Sequence, residues 1–353
     1  MTTAATEAAD TAGLAGRSSL PAPGRAEGRS GGRAGQPDAP AAGGSASGPV
    51  TTDPTRPETG PAGAAIAVII PHYNDGERLA RCLAALMAQD GTGAEVVVVD
   101  NGSTQPLDAI RAAHPAVRFV TEPAKGAALA RNRGVAETTA PILAFLDSDC
   151  LPAPDWLAVA RRLGTDPAAD IWGGRIDVFD ETPPPRSGAE AFEAVFAFDW
   201  RGYIEKKGFA VTASLVTRRE VFESTGPLIN GVSEDLEWCR RAVGKGWRLA
   251  AAEDLRVGHP SRSDWPALER KWIRVTKESY DLAGGRAAGV QGQAKWALKA
   301  LAMPMSALVH LPRVLFSPDL RGARERLRGA GTLWRLRLRR MRWMLRQAAG
   351  RPI

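Results

Sequence analysis

The chain has 353 residues, 44% of them hydrophobic, and a formal net charge of +7, which is enough for one large or two modest domains. Its three cysteines, Cys82, Cys150 and Cys239, form no CxxC pair, which argues against a disulfide framework or a zinc site and for a reducing compartment. No run of 18 uncharged apolar residues occurs, and the start "MTTAATEAADTAGLAG" lacks a basic end and an apolar core, so neither an ordinary transmembrane helix nor a secretory signal is expected.

Residues 1–63 are rich in Ala, Gly, Pro, Thr and Ser, with no periodicity and no aromatic residue. Such a segment cannot bury enough surface to offset ordering entropy, and disorder is expected. Order begins at Ile66 with "IAVII", an apolar β-branched run. "ERLARCLAALMAQ" then repeats apolar residues at helical spacing, and "EVVVVD" is a second buried-strand pattern. "DAIRAAH" reads as a helix, "VRFVT" as a strand, "GAALARNRGVAET" as a helix and "PILAFL" as a strand. Four apolar strands alternating with helices predict a mostly parallel sheet covered by helices on both faces.

Beyond Pro152 the spacing predicts a helix near 155–163, strands over 170–179 and 208–217, and a helix over 233–246 with Ser233 as N-cap. A long amphipathic helix follows over 264–284, then two helical segments over 295–316 and 320–347. A body over 64–286 and a tail over 287–353 are expected.

In an open parallel sheet, ligands bind beyond the carboxyl ends of the strands. There the chain places Pro71, His72, Tyr73, Asn74 and Asp75, then Asp100, Asn101, Gly102 and Ser103, then Asp147, Ser148 and Asp149. Asp and Ser are also ordinary turn residues, but three polar clusters at three strand ends point to a site. There is no GxGxxG after the first strand and no GxxxxGKS, so phosphates bound here would need a cation. Asp147 and Asp149 offer hard oxygen ligands of the kind Mg²⁺ or Mn²⁺ takes.

The segments "AVIIPHYNDGERLARCLAALMAQ", "EVVVVDNGS", "GAALARNRGVAETTAPILAFLDSDCLP", "TASLVTRREVFESTGP" and "SEDLEWCRRAVGKGWRL" resemble, in this order, family 2 glycosyltransferases with the GT-A fold. The resemblance implies an inverting, metal-dependent transfer of a sugar from a UDP- or GDP-sugar to an acceptor hydroxyl. Pro71 and Tyr73 would line the nucleobase pocket, Asp100 would bond the base or ribose, and Arg131 would lie near the nucleotide. Asp147 would contact ribose and support the metal, Asp149 would ligate it, and His259 would be a further ligand. Asp235 would be the catalytic base. Its place in the first helical turn predicts a depressed pKa. Glu234 and Trp238 are placed on the acceptor side. Two departures from the family pattern are Lys125, in a slot that often holds Asn, and Ser214, also commonly Asn.

The charge is unevenly spread. From Arg313 onward twelve arginines accompany Asp319 and Glu325, a balance of +10, which leaves −3 for the 312 residues before. Trp334, Leu338, Met341 and Leu345 form an apolar stripe beside Arg335, Arg339, Arg342 and Arg346, a pattern suited to anionic lipid. With a slightly acidic body and no recognised motif, nucleic acid is not an expected partner. A peripheral enzyme at the cytoplasmic membrane face is expected, acting on a saccharide or lipid-linked acceptor in cell-envelope polysaccharide or glycolipid synthesis. The rivals are a polyprenyl-phosphate sugar synthase and a catalytically idle scaffold of the same fold.

Overall fold

The computed structural model describes residues 63–353. The segment 1–63, expected to be disordered, lies outside the described residues except for Gly63. Strands β1 (Ile66–His72), β2 (Ala94–Asp100), β3 (Arg118–Thr121) and β4 (Ile142–Leu146) form where the apolar runs stand. β1 is flanked by β2 and β4, with β3 outside β2, all parallel. Ile66 to Ile70 and Leu143 to Leu146 are almost wholly buried, because helices cover both faces of this half. Those helices are α1 (Gly76–Met87), α2 (Asp108–Ala113) and α3 (Ala127–Ala136). The β1–β2 register sets His72 beside Asp100, so two polar strand ends meet at one sheet edge.

The second half is mixed. β5 (Leu151–Pro152), α4 (Trp156–Thr165), β6 (Ile171–Phe179), α5 (Gly188–Phe196), α6 (Trp200–Lys207), β7 (Ser214–Arg218), α7 (Arg219–Thr225), α8 (Glu234–Gly244) and β8 (Leu249–Pro260) follow in turn. The eight-stranded sheet runs β3-β2-β1-β4-β7-β6-β8-β5. β7 pairs antiparallel with β4 and β6, and β8 is parallel to β6. The strand expected over 208–217 is shorter at its start. Gly208 is left-handed, with φ of 72°, and closes α6, and regular pairing starts only at Ser214. Ser214 itself is structural: its hydroxyl accepts from Trp156 Nε1 at 3.1 Å and donates to the Leu255 carbonyl.

The C-terminal third is helical: α9 (Trp265–Leu282), α10 (Gly289–Leu301), α11 (Met303–Leu315) and α12 (Gly322–Ala348). α12 turns back onto α5 and α9. Leu333, Leu336 and Trp343 share a core with Phe192, Leu268 and Trp272, so the segment 287–353 is packed against the preceding residues. The buried face of α12 differs from the expected stripe. Trp334, Met341 and Leu345 are only half-buried, Leu338 is 41% exposed, and Arg337 and Arg340 point inward. Arg340 lies 4.4 Å from the Trp272 ring centre and Arg335 3.9 Å from that of Trp265. Stacked arginine on tryptophan keeps a cation at tolerable cost where an aliphatic residue was expected. Among the described residues no helix is long and apolar enough to cross a membrane.

Candidate active site

The loops after β1, β2 and β3 are fastened to one another. Asn74, with φ of 49°, accepts through Oδ1 from the Thr104 backbone N–H at 2.8 Å, and its own N–H donates to Ser103 Oγ at 2.8 Å. Asn and Asp tolerate the left-handed region and bond nearby backbone, which suits Asn74 to this turn. Asp100 accepts from the Ser103 N–H at 3.3 Å. Asn101 donates to the Glu122 and Ala124 carbonyls and accepts from the Gly126 N–H at 2.7 Å. The "PHYND" and "VDNGS" clusters are thus one laced platform.

A cleft opens on this platform. Pro71, Tyr73, Asp147 and Asp149 line it, together with His72, Asp75, Asn101 and Ser148. His72 is 1% exposed, and burial lowers its pKa against the pull of Asp100 and Asp75. Asp100 is buried beside His72 and does not line the cleft. Lys125 meets Asn230 through its backbone carbonyl.

Asp147 and Asp149 have different neighbours. Asp147 is 2% exposed, and its Oδ1 accepts from Arg131 Nη2 at 2.6 Å while Oδ2 has no protein partner. Arg131 is wholly buried, and its Nη1 reaches Glu234 Oε1 at 3.2 Å. The guanidinium therefore joins Asp147 to the residue next to Asp235. Asp149 Oδ2 lies 3.6 Å from His259 Nε2. Burial opposes its charge, yet beside His259, Arg262 and Arg78 its carboxyl stays well below the usual carboxylate range. Burial also lowers the His259 pKa, with Asp149 opposing. Its Nδ1 is 2.8 Å from the Pro260 carbonyl. A carbonyl only accepts, so Nδ1 carries the proton, and in the neutral ring Nε2 turns a lone pair toward a carboxylate. Two facing lone pairs fit a shared cation. Asp147, Asp149 and His259 do not form a three-ligand cage, and among the described residues no group of three such side chains does. Arg131 holds Asp147 Oδ1, and Oδ2 is left without a protein partner in the cleft that Asp149 also lines.

A second cleft of ≈ 260 Å³ shares Asp149 and His259 and adds Arg78, Arg262 and Arg270. Arg262 is held by a buried group absent from the sequence reading. Glu193, 1% exposed, accepts from Lys271 Nζ at 2.8 Å and from the Arg262 backbone N–H at 2.7 Å. Burial opposes its charge, but Lys271 and Arg262 bring its pKa down to about 2. No local signal marks this pair, since 78 residues separate Glu193 from Lys271.

Asp235 lies in the first turn of α8 and is 3% exposed. Its pKa is raised, not depressed as its helical position suggested. Burial and then the adjacent Glu234 push it up to about 8, against Arg131. The helix-end effect falls short of the cost of desolvating a charge. Ser233 occupies the cap position but makes no capping bond. On α9, burial pushes Glu278 up to about 7, with Glu234 adding to it and Arg274 opposing. Trp238 is a core residue, not an acceptor-side surface: it is 1% exposed, donates to the Gly226 carbonyl at 2.9 Å and stacks on Phe222.

Comparison with known proteins shows the family. The family model described as glycosyl transferase family 2 matches residues 67–226. Glycosyltransferase AglE of Haloferax volcanii is 32% identical over 221 residues, covering 60% of this chain and 72% of that protein. The pre-mycofactocin glycosyltransferase of Mycobacterium tuberculosis is 30% identical over 224 residues, covering 60% of this chain and 47% of its own length. A solved mannosyltransferase from Pyrobaculum calidifontis, in complex with GDP-Man and Mn²⁺, aligns at 20% identity and a TM-score of 0.49, over 81% of this chain and 86% of that one. The chain belongs to glycosyltransferase family 2. It is a glycosyltransferase with the GT-A fold.

Proposed function

We propose that the chain moves a sugar from a UDP- or GDP-sugar to an acceptor hydroxyl, with a divalent metal and with inversion at the anomeric carbon. The observation that carries this reading is Asp235, a buried carboxyl raised to about 8 and joined through Glu234 and Arg131 to Asp147. A base whose pKa lies near the working pH is suited to take a proton from a hydroxyl.

Pro71, Tyr73 and Asp100 would hold the base and ribose, with Asp147 Oδ2 on the ribose side. Asp149 and His259, with support from Asp147, would hold Mn²⁺ or Mg²⁺. When bound, such an ion stabilises charge on a leaving diphosphate. The acceptor oxygen attacks the anomeric carbon while the bond from that carbon to the diphosphate oxygen breaks. The bonding pair leaves with the diphosphate, and the hydroxyl proton passes to Asp235. A single displacement inverts the centre, in contrast to the two-carboxylate retaining scheme of glycosidases.

A second reading has its own support. Arg270 lines the second cleft and makes no ion pair among the described residues. An acceptor phosphate there would be attracted to Arg270 and Arg262 and would need no base. The acid-poor, arginine-rich C-terminal segment supports action at an anionic membrane surface, on envelope polysaccharide or glycolipid.

The test is a thermal-shift screen of UDP- and GDP-sugars with and without Mn²⁺, because a ligand that binds the folded state raises its melting point. A metal-dependent rise with at least one nucleotide-sugar is expected. No rise with any of them would favour an idle scaffold.

A further inference from the structure

The segment 282–318 contains no acidic residue and carries Arg286, Lys295, Lys299 and Arg313. Most of it folds as α10 and α11, which follow one another through Ala302. One side of this helical pair is turned inward, where Trp296, Ala300, Met303, Ala307 and Val314 are buried. The other side repeats apolar residues at helical steps of three, four, seven or eight: Val290, Leu298, Leu301, Met305, Val309 and Phe316. Their exposures run from 58% to 87%. A single exposed leucine is ordinary, but a continuous apolar stripe on a folded protein marks a contact surface.

We infer that this face of α10 and α11 seats the enzyme in the headgroup–acyl boundary of an anionic bilayer. The inference rests on the membrane reading above and assigns it to one surface. The charges select lipid over a second copy of the chain. A second copy would bring cations against cations, with no acid in 282–318 to offset them. Lys299 and Arg313 stand at the border of the stripe, Lys299 5.3 Å from the Trp296 ring centre and Arg313 5.2 Å from that of Phe196. Their alkyl stems can lie along apolar surface while their charges reach headgroups. Neither helix can cross a bilayer, so the pair would lie in its plane. α12 presents a weaker face: Leu333, Leu336 and Trp343 are buried against α5 and α9, Trp334, Met341 and Leu345 are half-buried, and its exposed large apolar residues are Leu327 and Leu338. It adds exposed cations at Arg342 and Arg346.

The test uses the full chain and flotation with vesicles of phosphatidylglycerol and phosphatidylcholine. Native protein is expected to float with the anionic vesicles. A variant with Leu298→Gln, Leu301→Gln, Val309→Gln and Phe316→Gln should bind at least about tenfold more weakly, since apolar burial drives interfacial binding. Its Mn²⁺-dependent melting shift with a nucleotide-sugar should equal that of the native chain. If this variant floats as well as native while Arg342→Gln/Arg346→Gln does not, the membrane reading stands and the assignment to α10 and α11 is wrong. Native protein that ignores the vesicles overturns both. If the four substitutions then also dissolve a dimer in ultracentrifugation, the stripe is a self-association surface.

Discussion

Arg131 donates to Asp147 Oδ1 at 2.6 Å, with the two side chains 0% and 2% exposed. The same guanidinium reaches Glu234 at 3.2 Å. One buried cation thus ties the fourth strand's acidic turn to the start of α8.

Removing one partner of a buried ion pair leaves the other charge uncompensated. Arg131→Met should therefore lower stability by about 3–5 kcal/mol in chemical denaturation. Adding Asp147→Asn should restore part of that loss. A double variant no more stable than the single would show that the pair is not what the buried charge depends on.

Asp235 is raised in the folded chain to about 8 from an ordinary value of 3.8. The folded state therefore holds this proton more tightly than the unfolded one. The stabilising contribution is complete below about pH 4 and is lost as pH rises through about 8. Asp235→Asn should raise the melting temperature at pH 8.5 by about 2–4 °C and change it little at pH 4. In the native enzyme kcat/KM should climb through the same pH window, as the base form appears. A pH-independent melting difference would mean that Asp235 is ionised throughout.

Glu193 has the opposite sign. Its folded pKa, about 2, lies below the ordinary 4.5. Its stabilisation is present above pH 4.5 and is lost as pH falls toward 2. Glu193→Gln should cost about 3 kcal/mol at pH 7, because Lys271 then stays buried without its charge partner. The gap between variant and native should narrow in acid unfolding curves below pH 4.

Gly126 takes φ of +145°, and a Cβ there would overlap the Asn230 side-chain amide. Asn230 in turn donates to the Lys125 carbonyl at 3.0 Å, which links the loop before α3 to the loop before α8. Gly126→Ala should cost about 1–3 kcal/mol by backbone strain and displacement. Asn230→Ala in the same chain should recover the steric part, read as a partial return of the melting temperature.

Much of this was legible in the string. "IAVII", "EVVVVD" and "PILAFL" read as strands because both sheet faces are covered, leaving uninterrupted apolar runs. The acidic turn after β4 was legible from its place at a strand end. The sign of the Asp235 shift was not. A first-turn position is local, but burial by neighbours from other elements is not, and burial dominated. The buried face of α12 was missed for a similar reason. Arg337 and Arg340 lie off both expected stripes, and only the fold supplies the Trp272 ring on which Arg340 stacks. The Glu193–Lys271 pair has no local spacing to find, and Trp238 beside two acids read as a surface residue although Phe222 covers it.

The central claim is that Asp235 takes the acceptor proton. The direct measurement is single-turnover sugar transfer by Asp235→Asn, alongside Mn²⁺-dependent binding of the same nucleotide-sugar. The account predicts that transfer falls by about 10²–10⁴-fold while the donor Kd stays near native. Transfer at near-native rate with intact donor binding would contradict it and point to an acceptor phosphate that needs no base.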